Sequence, residues 1–276
     1  MKILVVGSTG MLGSTLKDYF FRMKISYDKI DRDVIDLSKC SFYDLSNAII
    51  KINPDVLINC AGIIKQRKNI SISDFISVNG LLPHRLSEIC ENNFIRMIHI
   101  TTDCVFSGKI GGYNENSAHD YSDEYGMSKS IGEPKNCMVI RASIIGEENK
   151  NKLSLLEWTR SNKNNKINGY KNHLWNGVTC LQLSKIIIKI IEDNNFWMGV
   201  RHIFSESISK YDLLKTINEI YGLDIDINPI DDCISINRTL NSIYDITEFK
   251  IPKLYHQIEE TRDFHKIKNI ENANCS

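Results

Sequence analysis

Short strand-like, mainly apolar runs recur at residues 2–6, 25–30, 56–60, 97–101 and 138–141, each bounded by Gly, Asn, Pro or Asp. A strand with one wet face alternates polar and apolar residues. A run with no alternation is buried on both faces, which is the pattern of a parallel sheet covered by helices. Residues 12–21, 41–52, 81–92 and 125–133 carry helical periodicity between these runs, and Pro54 and Pro83 mark element edges. Buried helices would need longer runs than these. The pattern therefore predicts an α/β chain built on a doubly wound parallel sheet.

Beyond Gly146 the alternation weakens. A polar Lys/Asn-rich stretch at 147–172 surrounds one short helix, 181–192 reads as a strong amphipathic helix, 210–221 as another, and 223–229 as a strand. The expected organisation is a dinucleotide-binding domain over 1–146 plus about 177–204 and a smaller C-terminal substrate lobe over about 147–176 and 205–264, with 265–276 as a frayed polar tail.

The 34 Lys+Arg balance 34 Asp+Glu, so no global field draws the chain to nucleic acid or to an anionic membrane. No apolar run approaches the ~20 residues of a membrane span, and the chain enters its first strand with no leader pattern ahead of it; the expected location is the cytoplasm. Eight scattered cysteines show no C-x-x-C pair and no ligand spacing, which predicts reduced thiols and no metal site. The high Ile and Asn content reads as coding bias without chemical content.

Directly after the first run comes Gly7-Ser8-Thr9-Gly10-Met11-Leu12-Gly13, which opens a helix. Glycines in that place permit a tight turn, close backbone approach to a pyrophosphate, and close packing of helix on strand, while the helix N-terminus offers N–H groups to the anion. Gly7, Thr9, Gly10, Met11 and Leu12 are thus candidate cofactor contacts in a Rossmann-type sheet; the alternative is a purely structural turn. About twenty residues on, Asp31 could bond ribose hydroxyls and Arg32 could hold a 2′-phosphate, which favours NADPH with NADH as the alternative. A solvated charged pair is the other reading of these two residues. Asp36 and Leu37 follow at a spacing suited to the adenine edge. Asn59-Cys60-Ala61-Gly62 ends the third run, and its small residues Cys60, Ala61 and Gly62 let the backbone run beside the cofactor.

Tyr125-Gly126-Met127-Ser128-Lys129 sets a phenol and an ammonium four residues apart on one helix face. A lysine there lowers the phenol's pKa and orients the cofactor ribose, and the tyrosine becomes a proton donor to a ketone. Thr102, in Thr101-Thr102-Asp103-Cys104-Val105-Phe106 at the end of the fourth run, could hydrogen-bond the same carbonyl oxygen.

These segments together (Gly7-x-x-Gly10-x-x-Gly13, Asn59-Cys60-Ala61-Gly62, Thr101-Thr102-Asp103-x-Val105-Phe106-x-Gly108 and Tyr125-x-x-x-Lys129) resemble the extended short-chain dehydrogenases/reductases, and within them the dTDP-4-dehydrorhamnose reductase group. The resemblance is specific over roughly residues 1 to 146 and patchier afterwards. It implies a catalytic triad carried onto Thr102, Tyr125 and Lys129, an NADPH cofactor, a nucleotide-sugar substrate and a homodimer. Cys104 departs from the group, where an aromatic follows the Thr-Asp pair. In GDP-fucose synthase and in the plant-type nucleotide-rhamnose synthase a cysteine at the similar place is the acid of epimerisation, which implies C3 epimerisation here; a small packed residue is the alternative. Lys152 and His173 are candidates for the partner base. Residues 172–179 resemble the substrate-lobe entry of a subgroup acting on UDP-linked 2-acetamido-2,6-dideoxy-4-ketohexoses, which brings Trp175 and Asn176 to the substrate, and Arg238-Thr239-Leu240 resembles a motif whose arginine suits a diphosphate. The expected activity is NADPH-dependent reduction of the C4 keto group of a nucleotide-linked 6-deoxyhexos-4-ulose after C3 epimerisation, on the way to an L-rhamnose or N-acetyl-L-rhamnosamine type sugar, with no metal. A plain dTDP-4-dehydrorhamnose reductase and a non-catalytic NADP-binding regulatory subunit stand as alternatives. A 4,6-dehydratase would need an acidic pair after the threonine, and Asp103-Cys104 supplies one acid.

Overall fold

The computed structural model describes residues 1–67, 69–148 and 152–274, the side chains of 268–274 excepted. Strands β1 (Ile3–Val6), β2 (Tyr27–Ile30), β3 (Val56–Asn59), β4 (Arg96–Thr101) and β5 (Met138–Arg141) fall on the five apolar runs. Helices α1 (Met11–Arg22), α2 (Phe42–Ile52), α3 (Ile72–Phe75), α4 (Leu82–Asn92) and α5 (Glu124–Ile131) alternate with them, a π-helical stretch Ile76–Leu81 joining α3 to α4. The side-chain oxygen of Ser41 accepts from the Asp44 N–H and starts α2, and left-handed Asn53 ends it.

The second half contains β6 (Ile144–Ile145), α6 (Leu155–Ser161), β7 (Lys166–Tyr170), β8 (His173–Trp175), β9 (Val178–Thr179), α7 (Cys180–Glu192), β10 (Gly199–His202), β11 (Ile208–Ser209), α8 (Lys210–Tyr221), β12 (Asp226–Ile230), β13 (Ile236–Asn237) and α9 (Leu254–Asn274). The main sheet has the order β10-β5-β4-β3-β1-β2 with every pairing parallel. Strand order reverses between β1 and β3, which opens a crevice at the carboxyl ends of the strands.

One core packs α1 and α7 on one face of this sheet through Leu12, Leu16, Phe20, Leu183 and Ile187. The other face carries α2 and α4 through Leu45, Ile49, Leu82 and Leu86. A third apolar cluster, centred on Leu156, Ile167, Leu213 and Ile217, is built from α6, β7, α8 and α9 beside the crevice. No described helix is long and apolar enough to cross a membrane.

Two expectations change. The stretch at 147–172 holds strand β7 as well as a short helix, paired in parallel with β12, which begins at Asp226 rather than 223. The polar tail after Phe264 continues α9 to Asn274; its start is anchored by Leu254, Ile258 and Phe264, all buried, and helix propagation from an anchored segment needs little further burial. The asparagines also have structural work. Asn172 and Asn176 each hydrogen-bond both the N–H and C=O of a distant residue, Asp232 and Leu240, and Asn218 does the same for Ile225 seven residues on.

Candidate active site

The crevice is continuous with a cavity of about 450 Å³ that reaches from the α1 N-terminus to α8. At its first wall, Gly7 takes φ +82 and the turn passes into α1 with Gly10 as N-cap, where no side chain satisfies the helix N–H groups. An added Cβ at Gly13 would lie 2.2 Å from the Gly7 carbonyl oxygen, whereas at Gly10 the nearest atom would be 3.8 Å away. Gly13 is therefore required by the protein's own packing, while the space over Gly10 belongs to the cavity, which Thr9, Gly10, Met11 and Leu12 line.

Asp31 does not face that space. It is 3 % exposed, and its two oxygens accept from the Ser8 N–H and the Ser8 hydroxyl, each at 2.6 Å. Expected as a ribose reader, it instead braces the glycine turn, because the carboxylate ends β2 directly behind Ser8. Arg32 is exposed. Asp36 is occupied by Ser38, whose N–H and hydroxyl donate to it at 3.0 and 2.6 Å and hold its carboxyl below the usual range. Leu37 is buried in the second core rather than lining the cavity. Cys60, Ala61 and Gly62 do line it.

Tyr125 and Lys129 project from α5, which is capped by Asp123 accepting from the Gly126 N–H at 2.7 Å. At Gly126 a Cβ would meet the Cys104 carbonyl oxygen at 2.3 Å, so the helix rests on the loop after β4. Tyr125 and Thr102 both line the cavity. Burial first, then nearby Cys104, pushes the phenol above its ordinary value, while the Thr102 side chain acts the other way and favours its charged form. The lysine-driven lowering expected from sequence is thus reversed, and the tyrosine stays protonated, as a proton donor must. The Lys129 ammonium, 7 % exposed, is lowered by burial to about 8, against the opposing pull of Glu133. It reaches toward Gly62, where an added Cβ would stand 3.3 Å from Nζ.

Thr102 donates to Asp103 Oδ1 at 3.0 Å and accepts from the Cys104 N–H at 3.2 Å. The Cys104 thiol also points at Asp103 Oδ1, 3.8 Å away, and burial followed by that carboxylate raises it to about 11. Cys104 is thus a protonated thiol on the cavity wall.

On the lobe side, Trp175 is a member of the third core whose Nε1 donates to Ser143 Oγ at 2.7 Å while the ring edges the cavity. His173 lines the cavity too, but its Nε2 is engaged with Asp232 and the Ile234 carbonyl, both at 3.2 Å, and its ring stacks on Tyr170. Arg238 faces the cavity with Nε donating to the Phe106 carbonyl at 3.0 Å. Two candidates fall outside. Asn176 is buried and spends its amide on Leu240, with both bonds at 2.8 Å. Lys152 is exposed on a left-handed turn, φ +49, and does not line the cavity.

Sequence reasoning missed several residues, among them Lys65, which lines the cavity and pairs with Asp123 at 3.5 Å. Asn79, fully buried in the π-helical stretch, accepts from the Ile63 N–H at 2.8 Å and donates to the Ile63 carbonyl at 2.9 Å and to Ser128 at 3.1 Å, fixing the segment after β3 against α5. Lys210, first residue of α8, also faces the cavity. Its signal was present: Ser209 and Asp212 form the start of a helix, and a lysine in the first turn opposes the helix dipole. Among the described residues no group of three His, Cys, Asp or Glu side chains is placed to hold a metal ion.

A family model described as the RmlD substrate binding domain matches residues 1–257. A probable low-salt glycan biosynthesis reductase, Agl14, of Haloferax volcanii is 30% identical over 146 residues, 48% of each chain. A dTDP-4-keto-6-deoxy-D-glucose reductase of Streptomyces niveus is 27% identical over 132 residues, 47% of this chain and 45% of that one. The chain thus spans about half the length of the curated relatives it matches. Among solved structures, a dTDP-4-dehydrorhamnose reductase of Bacillus anthracis in complex with NADP has a TM-score of 0.78 at 17% identity, covering 94% of this chain and 98% of that one. WbmG of Bordetella bronchiseptica in complex with NAD and UDP has a TM-score of 0.75 at 13% identity, covering 96% and 95%. These likenesses share the parallel sheet and its flanking helices. The family match runs through the crevice and the cluster beside it, and the chain belongs to the RmlD substrate binding domain family.

Proposed function

We propose that the protein is an NADPH-dependent reductase of the C4 keto group in a nucleotide-linked 6-deoxyhexos-4-ulose, with C3 epimerisation preceding reduction. The observation that carries the reading is the meeting of Tyr125, Thr102 and the Lys129 ammonium on one cavity whose other end is the open backbone at Gly10. That space fits a pyrophosphate: open backbone, an uncapped helix N-terminus, and a glycine that nothing in the protein's own packing demands. Lys129 and the backbone at Cys60 to Gly62 would hold the nicotinamide ribose, and exposed Arg32 would take the 2′-phosphate. When bound, the cofactor supplies hydride to C4.

The chain's own groups do the remainder. Thr102 positions the carbonyl oxygen, and Tyr125 gives it a proton. Excluding water raises the value of each hydrogen bond here. Cys104, held protonated beside Asp103, donates a proton to C3. Arg238 is a fixed cation for a diphosphate. The nucleotide in this reading is UDP and the sugar carries a 2-acetamido group, from the resemblance of residues 172–179 to that subgroup. The enzyme works as a cytoplasmic homodimer, with the lobe over 147–176 and 205–264 covering the sugar.

The test is incubation with NADPH and UDP- or dTDP-linked 4-keto-6-deoxyhexoses, with and without the 2-acetamido group, in deuterated water. NADPH oxidation with deuterium at C3 is the expected result. Oxidation without deuterium leaves a plain ketoreductase. Tight NADPH binding with no turnover on any of these sugars overturns the enzyme reading in favour of a regulatory module.

A further inference from the structure

Two lysines line the cavity besides Lys129: Lys65, whose Nζ pairs with Asp123 at 3.5 Å, and Lys210. Lys210 Nζ stands 4.8 Å above the centroid of the Trp175 indole, and the indole is locked by its bond to Ser143. The charged and titratable groups that face Lys210 are Asp103 and Cys104 from the loop after β4 and Arg238 from the segment after β13. Among the described residues no carboxylate comes within ion-pair distance of its Nζ. A lysine turned into a cavity, held on an aromatic face and without a salt-bridge partner, places its amine where a ligand can meet it.

We infer that Lys210 is the base that removes the proton from C3 of the substrate, with the Cys104 thiol returning one to the opposite face. This rests on the epimerisation reading above. In the first step the C3–H bond breaks, the proton passes to the neutral amine of Lys210, and the electron pair moves into the C3–C4 bond as an enolate with its charge on O4. In the second the enolate collapses, the S–H bond of Cys104 breaks, and its proton forms the new C3–H bond as the carbonyl returns. The ammonium and thiolate left behind recover their starting states by proton exchange with water. No oxidant or reductant is consumed.

The protonation states suit these roles. Burial, reinforced by Arg238, brings the Lys210 ammonium to about 8 despite the opposing pull of Asp103 and Cys104, so neutral amine is available near neutral pH. Cys104, raised to about 11, remains a thiol. Environments that drive two neighbouring groups apart assign one as base and one as acid. The other candidates are otherwise engaged: His173 is tied to Asp232, Lys65 is paired with Asp123, Lys152 lies outside the cavity, and Lys129 reaches under Gly62.

The experiment uses enzyme with NADP⁺, which blocks reduction, and a UDP-linked 2-acetamido-2,6-dideoxy-4-ketohexose in deuterated water, reading deuterium at C3 by mass spectrometry. Wild-type enzyme is expected to exchange, with a rate that rises as pH passes about 8. Lys210→Gln and Lys210→Arg are both expected to lose about 100-fold or more of that rate. NADP⁺ affinity measured on each variant establishes folding; Lys210→Met, which keeps the stem on Trp175, replaces any variant that fails it. Exchange at wild-type level in Lys210→Arg overturns the inference, since a fixed cation would then suffice. So does exchange at wild-type level in Lys210→Gln, or a flat pH profile. No exchange in the wild-type enzyme overturns the epimerisation reading beneath it, an outcome distinct from the other three.

Discussion

The sheet half and the lobe half of the molecule are held together by different physics. In the sheet, β1, β3 and β5 are buried along their whole length and pair backbone to backbone, and helix α1 is seated by direct contact between Gly13 and the Gly7 carbonyl. In the lobe β8, β11 and β13 are two or three residues long, too short for ladders alone to fix them, and side-chain amides take the place of missing strands. Asn172 receives the Asp232 N–H at 2.9 Å and donates to its carbonyl at 2.8 Å; Asn176 does the same for Leu240. A ladder asks only for backbone and apolar bulk, so it tolerates many side chains but no intrusion of volume. An amide clamp asks for one residue at one position and tolerates little else. The lobe is consequently the half where a polar substitution should do most harm, and the sheet the half where a single methyl group can.

The largest effect should come from that methyl group. Gly13→Ala forces a Cβ to 2.2 Å from the Gly7 carbonyl oxygen, where α1 meets the turn after β1 in the sheet half. We expect a loss of about 4 kcal/mol or more in urea unfolding, with soluble yield falling accordingly. A variant that unfolds at the wild-type midpoint would show that α1 can slide, and the contrast between halves would lose its first leg.

The matching blow to the lobe is Asn176→Ala, which leaves the N–H and C=O of buried Leu240 without their partners. The expected cost is about 2–3 kcal/mol. Substrate KM should rise while NADPH affinity stays within about twofold, because the clamp lies on the lobe side of the cavity. If both affinities fall together, the two halves are one cooperative unit and the comparison breaks.

This asymmetry also explains what could be read from the chain in advance. Buried strands announce themselves as apolar runs, and the glycine turn and the Tyr125–Lys129 spacing are local patterns, so the sheet and its catalytic helix were legible. Lobe contacts join residues such as Asn172 and Asp232 that are far apart in sequence, and nothing local marks Asn172 as a clamp rather than a surface residue. The same holds for Asn79, whose partners Ile63 and Ser128 lie on different elements. Asp31 shows the converse: a correct position at the end of β2 did not reveal that Ser8 would occupy both its oxygens. Lys152 and His173 were chosen by place in the chain, whereas Lys210 reaches the cavity because α8 begins there.

A smaller effect sharpens the contrast within the glycine turn. Gly10→Ala adds its methyl group to open space, with the nearest atom at 3.8 Å, so the melting temperature should hold. NADPH binding should weaken about tenfold, or 1.4 kcal/mol, because the added group occupies the room meant for a pyrophosphate. Fluorescence titration of the cofactor reads this directly. Unchanged affinity would mean that phosphate does not approach this turn.

The smallest expected effect tests a property the two halves share. Lys129 titrates near 8 in the folded protein against about 10.4 when unfolded. Between those values the unfolded chain binds more protons than the native one, so this residue's contribution to stability rises with pH across that window. Below pH 8 the burial penalty is fully present; above about 10.4 it is gone. Lys129→Met removes it, and the apoprotein should gain about 1 kcal/mol at pH 7, less than the full shift implies because water enters the cavity around the ammonium. Urea midpoints at pH 7 and pH 9.5 should show the variant's advantage shrinking as pH rises, while its NADPH affinity falls at both. A methionine variant less stable than wild type at pH 7 would mean that the Lys129 stem and Asn79 together hold the segment after β3. The amide clamp that Asn79 makes on Ile63, the sheet half's counterpart to those of the lobe, would then need the lysine stem beside it.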